Sequence, residues 1–277
     1  MLTKHNSKPN KLLGQNFLID KNVLSKIITA SEIKNTDTII EVGPGIGTLT
    51  KELAQNAGKV IAIEKDKVMC QILAETTKDY KNIEIVEGDI LKISNFSNFK
   101  LNSNFKFQIS NYKVVANIPY YLTSPLIRKF LESENQPEIM ILMLQKEVAQ
   151  RICSKPPNMS LLAVSVQFYA EPKIISYVSK NCFWPSPKVD SAIIKIVPHK
   201  TYRPPTSIQL FFKIAKAGFS QPRKQLGGNL SKMLKLKKAQ VDTWLLENKI
   251  SPTQRAETLS VEDWQNLTTS ESRAFGE

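Results

Sequence analysis

The sequence predicts an α/β domain followed by a small all-helical domain. Short runs of β-branched and apolar residues recur and stop at glycines, acids or amides, and amphipathic segments of helix length separate several of them. After Pro204-Pro205 the strand-like runs cease and only amphipathic segments remain, so the boundary is expected between 203 and 204. A chain of 277 residues has room for both domains.

In chain order, Asp20 is placed to cap a helix reaching about Ser31, with Val23, Leu24, Ile27 and Ile28 on one face. Ahead of it lie Gly14-Gln15-Asn16-Phe17-Leu18, in which Phe17 and Leu18 read as packing residues and the two amides are harder to explain that way. Thr38-Ile39-Ile40-Glu41-Val42 reads as a buried strand that runs into Gly43-Pro44-Gly45-Ile46-Gly47 and then a helix from Thr48 to Asn56. A strand, glycine turn and helix start let backbone approach a ligand closely. The turn lacks the Gly-Lys-Ser/Thr ending of a phosphate-binding loop, and its third glycine comes one residue early for a dinucleotide fingerprint.

A second strand, Lys59 to Ile63, ends on Glu64, about twenty residues past the glycine turn, the offset at which an acid can accept from ribose hydroxyls. A third, Ile83 to Glu87, leads to Gly88-Asp89, whose carboxylate suits the amino group of an adenine. A fourth, Val114-Val115-Ala116, ends in Asn117-Ile118-Pro119-Tyr120. Acids or an amide at three successive strand ends, Glu64, Asp89 and Asn117, form a lining for an adenosine-containing cofactor.

The Asn-Ile-Pro-Tyr stretch suggests the chemistry. An asparagine side-chain oxygen and a carbonyl on proline-stiffened backbone are neutral acceptors, and an adjacent tyrosine offers a face to a heteroaromatic ring. The amine of adenine is a poor nucleophile because its lone pair is delocalised into the ring. Acceptors for both its N–H groups favour a pyramidal nitrogen with a more available lone pair, without a formal base.

Further on, Lys92 to Lys113 reads as a surface excursion, Thr123 to Leu131 as a helix opened by Thr123-Ser124-Pro125, and Ile139 to Leu144 as a central strand. Helices are expected over Lys146 to Cys153 and Ser160 to Tyr169, then a strand pair, Ile174 to Val178 and Ala192 to Val197. The intervening Phe183-Trp184-Pro185-Ser186-Pro187 is held extended by its prolines, so that Phe183 or Trp184 could oppose Tyr120 across an extruded base or, equally, close a core edge. The C-terminal amphipathic segments are Ser207 to Ala217, Pro222 to Met233, Lys238 to Glu247 and Ser260 to Thr268. Arg223 and Lys224 fall at the start of the second, where a helix macrodipole disfavours positive charge, which points to a phosphate partner.

Charge supports a polyanionic partner. The formal net charge is +13, and Ser191 to Val241 holds eleven Lys or Arg and no Asp or Glu. Cys70, Cys153 and Cys182 match no metal-ligand spacing, so no metal is expected and a reducing compartment is favoured. The basic N-terminus lacks the apolar core of a signal peptide and the longest apolar run, Ile139 to Leu144, cannot span a bilayer, so a cytoplasmic protein without a membrane segment is expected.

Taken together, Gly-Gln-Asn-Phe-Leu at 14–18, Glu-Val-Gly-Pro-Gly-Ile-Gly at 41–47, Glu64, Gly88-Asp89, Asn-Ile-Pro-Tyr-Tyr at 117–121, Phe-Trp-Pro-Ser-Pro-Lys-Val-Asp-Ser at 183–191 and Phe-Ser-Gln-Pro-Arg-Lys at 219–224 resemble the KsgA/RsmA family of ribosomal RNA adenine dimethyltransferases, relatives of the Erm enzymes, over about Lys11 to Leu267. The resemblance implies a class I (Rossmann-like) S-adenosylmethionine-dependent methyltransferase sheet of seven strands with a C-terminal helical domain that contacts RNA. It implies that Asn16, Leu18, Gly43, Glu64, Asp89 and Asn117 line the S-adenosylmethionine site, Glu64 on the ribose and Asp89 on the adenine. Asn117 and the Pro119 carbonyl would hold the target amine, Tyr120 and Phe183 would stack on the target base, and Arg223 and Lys224 would meet RNA. The implied substrate is a pair of adjacent adenosines near the 3′ end of 16S rRNA in the small ribosomal subunit, with no obligate protein partner. The 92–113 excursion and Gly227-Gly228 depart from the family pattern. Two rival readings are an Erm-type enzyme acting on large-subunit rRNA, against which the 183–191 and 219–224 segments count, and a non-catalytic assembly factor, against which the intact Glu64, Asp89 and Asn117 count.

Overall fold

The computed structural model describes residues 5, 8–9, 14–93, 99–100, 106–107, 111–199 and 207–275. The expected boundary at Pro204-Pro205 and most of the 92–113 excursion lie outside them. The chain divides into two compact units, Met1–Ala149 with Glu171–Pro198, and Gln150–Ala170 with His199–Glu277.

The elements of the first unit run in order as β1 (Phe17–Leu18), α1 (Lys21–Ser31), β2 (Thr38–Val42), α2 (Thr48–Asn56), β3 (Lys59–Glu64), α3 (Lys67–Thr76), β4 (Ile83–Glu87), the short strands β5 (Phe99–Lys100) and β6 (Lys106–Phe107), β7 (Lys113–Asn117), α4 (Thr123–Leu131), β8 (Met140–Gln145) and α5 (Lys146–Ile152). After α6 (Leu161–Gln167) come β9 (Ala170–Val178), β10 (Phe183–Trp184) and β11 (Ser191–Pro198). Seven strands form one sheet in the order β4-β3-β2-β7-β8-β11-β9. Strands β4, β3, β2, β7 and β8 are parallel to their neighbours, and β11 is antiparallel to β8. The central strands are continuous apolar runs because helices cover both faces of a parallel sheet. The edge strand β4 is only half-buried.

Asp20 caps α1 as expected, its carboxylate accepting from the N–H groups of Asn22 and Val23. Helix α3 was not read from the sequence. Its signal is present: Asp66 caps it by accepting from Val68 and Met69, and Met69, Ile72, Leu73 and Thr76 form its buried face. Thr123 is not the cap of α4 but its first residue, and its hydroxyl donates to the carbonyl of Tyr120. Within the 92–113 excursion, β5 and β6 pair antiparallel.

A charged side chain opens the β7 run. Lys113 is buried, yet its ammonium meets the Asp37 carboxylate at 2.8 Å and donates to the backbone carbonyl of Glu32, so the burial is compensated.

The second unit is helical: α6 with α7 (Ile208–Gly218), α8 (Leu226–Leu234), α9 (Lys238–Glu247) and α10 (Val261–Phe275). Its core gathers Phe168, Phe211, Leu230, Trp244 and Trp264. The rings of Phe168 and Phe211 lie 4.0 Å apart, which is why residues 150–170 group with the C-terminal helices although the sequence placed them with the sheet. One glycine is a packing requirement: a Cβ on Gly218 would lie 2.3 Å from the buried Trp264 ring. The expected start of α8 near Pro222 is corrected. The helix begins at Leu226, and Arg223 and Lys224 occupy an exposed turn closed by the Lys224 N–H on the Gln221 carbonyl. Their charges therefore do not sit within a helix first turn, and the macrodipole argument for a phosphate partner lapses.

Candidate active site

The carboxyl ends of β2, β3, β4 and β7 open into one cavity, at the point where the chain leaves β2 towards β3 on one side and β7 lies on the other. Such a switch point is where open parallel sheets bind ligands, because successive crossovers diverge there and leave a crevice. All nine residues expected in the cofactor and base sites line it: Asn16, Leu18, Gly43, Glu64, Asp89, Asn117, Pro119, Tyr120 and Phe183. Arg223 and Lys224 belong to the helical unit and do not line it.

The glycine turn is held by backbone geometry and by one carboxylate. Gly43, Gly45 and Gly47 all have positive φ, and a Cβ on Gly45 would come within 2.9 Å of the Phe17 ring. Glu64 ties this turn to the end of β3, with Oε2 accepting from the Gly45 N–H at 3.1 Å and Oε1 from the N–H groups of Lys65 and Asp66 at 2.8 and 2.9 Å. Burial raises its pKa despite these three donors, which pull the other way. One acceptor position of the carboxylate remains for a ligand hydroxyl.

Asp89 is engaged on both oxygens. Oδ1 caps the turn at Ile90–Lys92 through the Leu91 N–H, and Oδ2 meets the Lys65 ammonium at 3.0 Å. The Lys65 hydrogen bond holds the Asp89 carboxyl below its usual range. Gln15, unexplained by packing, donates to Asp66 Oδ2 at 2.9 Å. Asn16 contributes backbone: its carbonyl accepts from Asn117 Nδ2 at 3.1 Å. With its NH₂ group committed there, Asn117 keeps its oxygen as an acceptor, and Oδ1 takes no hydrogen bond from the described residues.

Pro119 lies beside two glycines: Cβ atoms added to Gly14 and Gly43 would meet its ring at ordinary contact distances of 3.4 and 3.6 Å. Its carbonyl accepts from the Leu122 N–H at 2.9 Å and retains a second lone pair. The Tyr120 hydroxyl pairs with Ser191 Oγ at 3.2 Å, which fixes the ring at the cavity wall. The choice between Phe183 and Trp184 is decided by pleat. Phe183 is buried and lines the cavity, whereas Trp184 is 53% exposed.

One cavity residue was quoted in the sequence only as part of a motif. Glu41, on β2, is 1% exposed, and neither its Oε2 nor the nearby Thr50 hydroxyl finds a hydrogen-bond partner among the described residues. Burial pushes its pKa up to about 8; the Thr50 hydroxyl beside it pulls the other way but lies outside hydrogen-bond geometry, and the charge of Glu64 raises the pKa further. An acid inside an apolar strand was the available signal. With Glu41 held largely protonated near neutral pH, Glu64 and Asp89 against Lys65 still leave the lining net acidic by one charge, which suits a cationic ligand although the chain as a whole is strongly basic.

A family model described as "Ribosomal RNA adenine dimethylase" matches residues 6–271. The chain belongs to that family. Relatives of this dimethylase-family chain include a Dehalococcoides mccartyi (strain CBDB1) protein named "Ribosomal RNA small subunit methyltransferase A", 45% identical over 268 residues that cover 96% of this chain and 90% of the relative. A protein of the same name from Clostridium botulinum (strain Loch Maree) is 40% identical over 272 residues, covering 96% and 95%. Among solved structures, a dimethyladenosine transferase from Plasmodium falciparum aligns with a TM-score of 0.75 and 27% identity over 93% of this chain and 98% of that one. The 23S rRNA methyltransferase ErmE shares the fold, with a TM-score of 0.71 at 24% identity over 92% and 98%. The dimethylase family assignment and the seven-stranded sheet agree on a class I methyltransferase fold. Among the described residues no group of His, Cys, Asp and Glu could hold a metal ion, and no helix is long and apolar enough to cross a membrane.

Proposed function

We propose that this protein transfers methyl groups from S-adenosylmethionine to the N6 amine of adenosines in 16S rRNA of the small ribosomal subunit, giving dimethyladenosines at two adjacent positions near the 3′ end. The observation that carries the reading is the pinned amide of Asn117, with its nitrogen on the Asn16 carbonyl and its oxygen left to accept, in a net-acidic cavity at the switch point. Family membership and relatives named as small-subunit rRNA methyltransferases support the same substrate.

The residues present fit this cofactor. Glu64 keeps an acceptor position for the ribose, Asp89 carries a carboxylate for the adenine amine, Gly43 leaves room for close approach, and the acidic lining favours a cation. Asn16 and Leu18 line the same cavity. When bound, S-adenosylmethionine supplies an electrophilic methyl carbon on a sulfonium.

The protein's own task is placement. Asn117 Oδ1 and the free lone pair of the Pro119 carbonyl hold the two N–H groups of the unmethylated amine, and one of them holds the single N–H left for the second transfer; as neutral acceptors they orient the nitrogen, and the proton released at each methylation passes to solvent. Tyr120 and Phe183 stack on the base. In-line transfer between positioned groups needs alignment more than a catalytic base, so the fixed backbone φ of Pro119 bears directly on rate. The helical region, 204–277, contacts the ribosomal RNA with Arg223 and Lys224 in their exposed turn, and the protein works in the cytoplasm, where the subunits mature.

The test is to map methylated adenosines in 16S and 23S rRNA from cells with and without this protein. Loss of dimethyladenosine from 16S rRNA alone is expected. Loss from 23S rRNA, or no loss at all, overturns the reading.

A further inference from the structure

Beside the cavity, the ribbon of β1 and β10 exposes apolar surface that folding does not require. The antiparallel register pairs Phe17 with Trp184 and Leu18 with Phe183, and the Ile19 N–H continues it by donating to the Cys182 carbonyl at 3.0 Å. Alternation therefore puts Leu18 and Phe183 on one face, in the core and the cavity wall, and Phe17, Ile19 and Trp184 on the other, from which the Phe17 ring also reaches the cavity. Phe17 is buried there against Met69 and Ile72. Trp184 and Ile19, diagonal neighbours on the same face, are 53% and 57% exposed. Diagonal side chains of this size are within reach of one another, so the two form one apolar platform one residue away from the cavity-lining Leu18 and Phe183.

An exposed indole backed by an exposed isoleucine marks a binding surface more than a folding contact. Its surroundings indicate the partner. Lys180 and Lys188 flank the platform in sequence and are exposed, and the segment between them folds back on itself, with Ser186 Oγ donating to the Lys180 carbonyl and Asp190 accepting from the Lys180 N–H. An exposed aromatic face in a segment that also exposes two lysines, at 180 and 188, suits a nucleobase with its neighbouring phosphates. Along the ribbon the platform adjoins Leu18 and Phe183, which line the cavity.

We propose that Trp184, backed by Ile19, stacks on an unpaired base next in the RNA strand to the adenosine held in the cavity, forming a separate subsite for the neighbouring nucleotide. This rests on the RNA methyltransferase reading. The cavity grips the reacting base, and the ribbon's outer face holds the strand in register so that one adenosine rather than another is presented.

Trp184 also provides its own reporter, because Trp244 and Trp264, the other two tryptophans, are 1% and 0% exposed. The full-length protein is tested with an RNA oligonucleotide spanning the mapped adenosines, and with versions abasic at the nucleotide 5′ or 3′ of the target. On binding the intact oligonucleotide, the acrylamide-accessible emission should be quenched and shielded, and one of the abasic versions should abolish this. Trp184→Ala should raise the KM for RNA by about tenfold, within the range of a lost base–aromatic stack, with kcat and cofactor affinity unchanged. Trp184→Phe should restore most of the loss, and on the relevant abasic RNA all three proteins should behave alike. An unchanged KM in Trp184→Ala, or an equal rise on intact and abasic RNA, overturns the subsite while leaving the methyltransferase reading intact. A shift of the monomer–dimer equilibrium by Trp184→Ala without a change in KM assigns the platform to a second copy of the chain and equally overturns it. If the wild-type protein methylates none of these RNAs, the functional reading falls and the subsite with it.

Discussion

Replacing Glu41 by glutamine isolates the cost of the carboxylate buried in the cavity wall. Its pKa is displaced from 4.5 to about 8, chiefly by burial, so the folded protein holds a proton there that the unfolded chain releases. Below about pH 4.5 the group is protonated in both states and contributes no penalty. Between 4.5 and about 8 the folded state binds the extra proton, and stability falls with rising pH by up to about 1.4 kcal/mol per pH unit. Above about 8 the penalty is constant, on the order of 5 kcal/mol as an upper value. Glutamine preserves the shape and one donor but cannot ionise, so Glu41→Gln should gain on the wild type progressively across that interval. In the cofactor-free protein, urea titrations from pH 4.5 to 9 should show the difference widening and then levelling off, with a corresponding shift in Tm on the order of 10 °C at the alkaline end. Saturating S-adenosylmethionine, a cation, favours the ionised carboxylate and should narrow the difference. A wild-type-to-variant gap that stays flat with pH would show that Glu41 is already ionised or compensated and would refute the argument from burial.

The remaining predictions concern chemistry and RNA. Asn117→Ala should lower kcat for methyl transfer by about a hundredfold or more while cofactor affinity stays within about tenfold, because an acceptor used mainly in the transition state acts on rate; single-turnover assays with calorimetric binding check both, and unchanged turnover would reject the role. Tyr120→Phe keeps the ring and loses only the Ser191 contact, so its kcat/KM should stay within about threefold of wild type, whereas Tyr120→Ala should lose about tenfold or more through the missing stack; equal losses in the two would make the hydroxyl, not the ring, the functional group. RNA affinity should fall steeply with salt, and replacing Arg223 and Lys224 together by alanine should flatten the log–log salt dependence by about 1.5, the share of two phosphate contacts; an unaltered slope would place the RNA elsewhere.

Much of the site was legible because its signals are local. Glu64, Asp89 and Asn117 each terminate an apolar run, and the glycine turn at 43–47 sits between a strand and a helix, so strand ends and the chemistry on them could be read within a few residues. Helix α3 carries a local signal as well, the Asp66 cap two residues past the strand-ending Glu64. The start of α8 was misjudged because Pro222 is acceptable in a first helical turn, whereas here it lies in a turn that Asn229 secures by donating to the carbonyls of Gly218 and Gln221. No pattern near Gln15 predicted its partner, Asp66, which lies 51 residues away.

By itself the sequence determined the seven strands of the main sheet, which polar residues end several of them, and the family to which the ordered motifs belong. Side-chain alternation and backbone propensity are properties of neighbouring residues, and they survive without knowledge of the rest of the chain. Only the tertiary structure decided that β3 and β7 flank β2, bringing four strand ends to one cavity, that residues 150–170 pack on Phe211, and that Phe183 turns in while Trp184 turns out. It also decided that Glu41 is buried with an unmatched oxygen. Each of these depends on the free energy of contacts between distant segments, which no local period encodes.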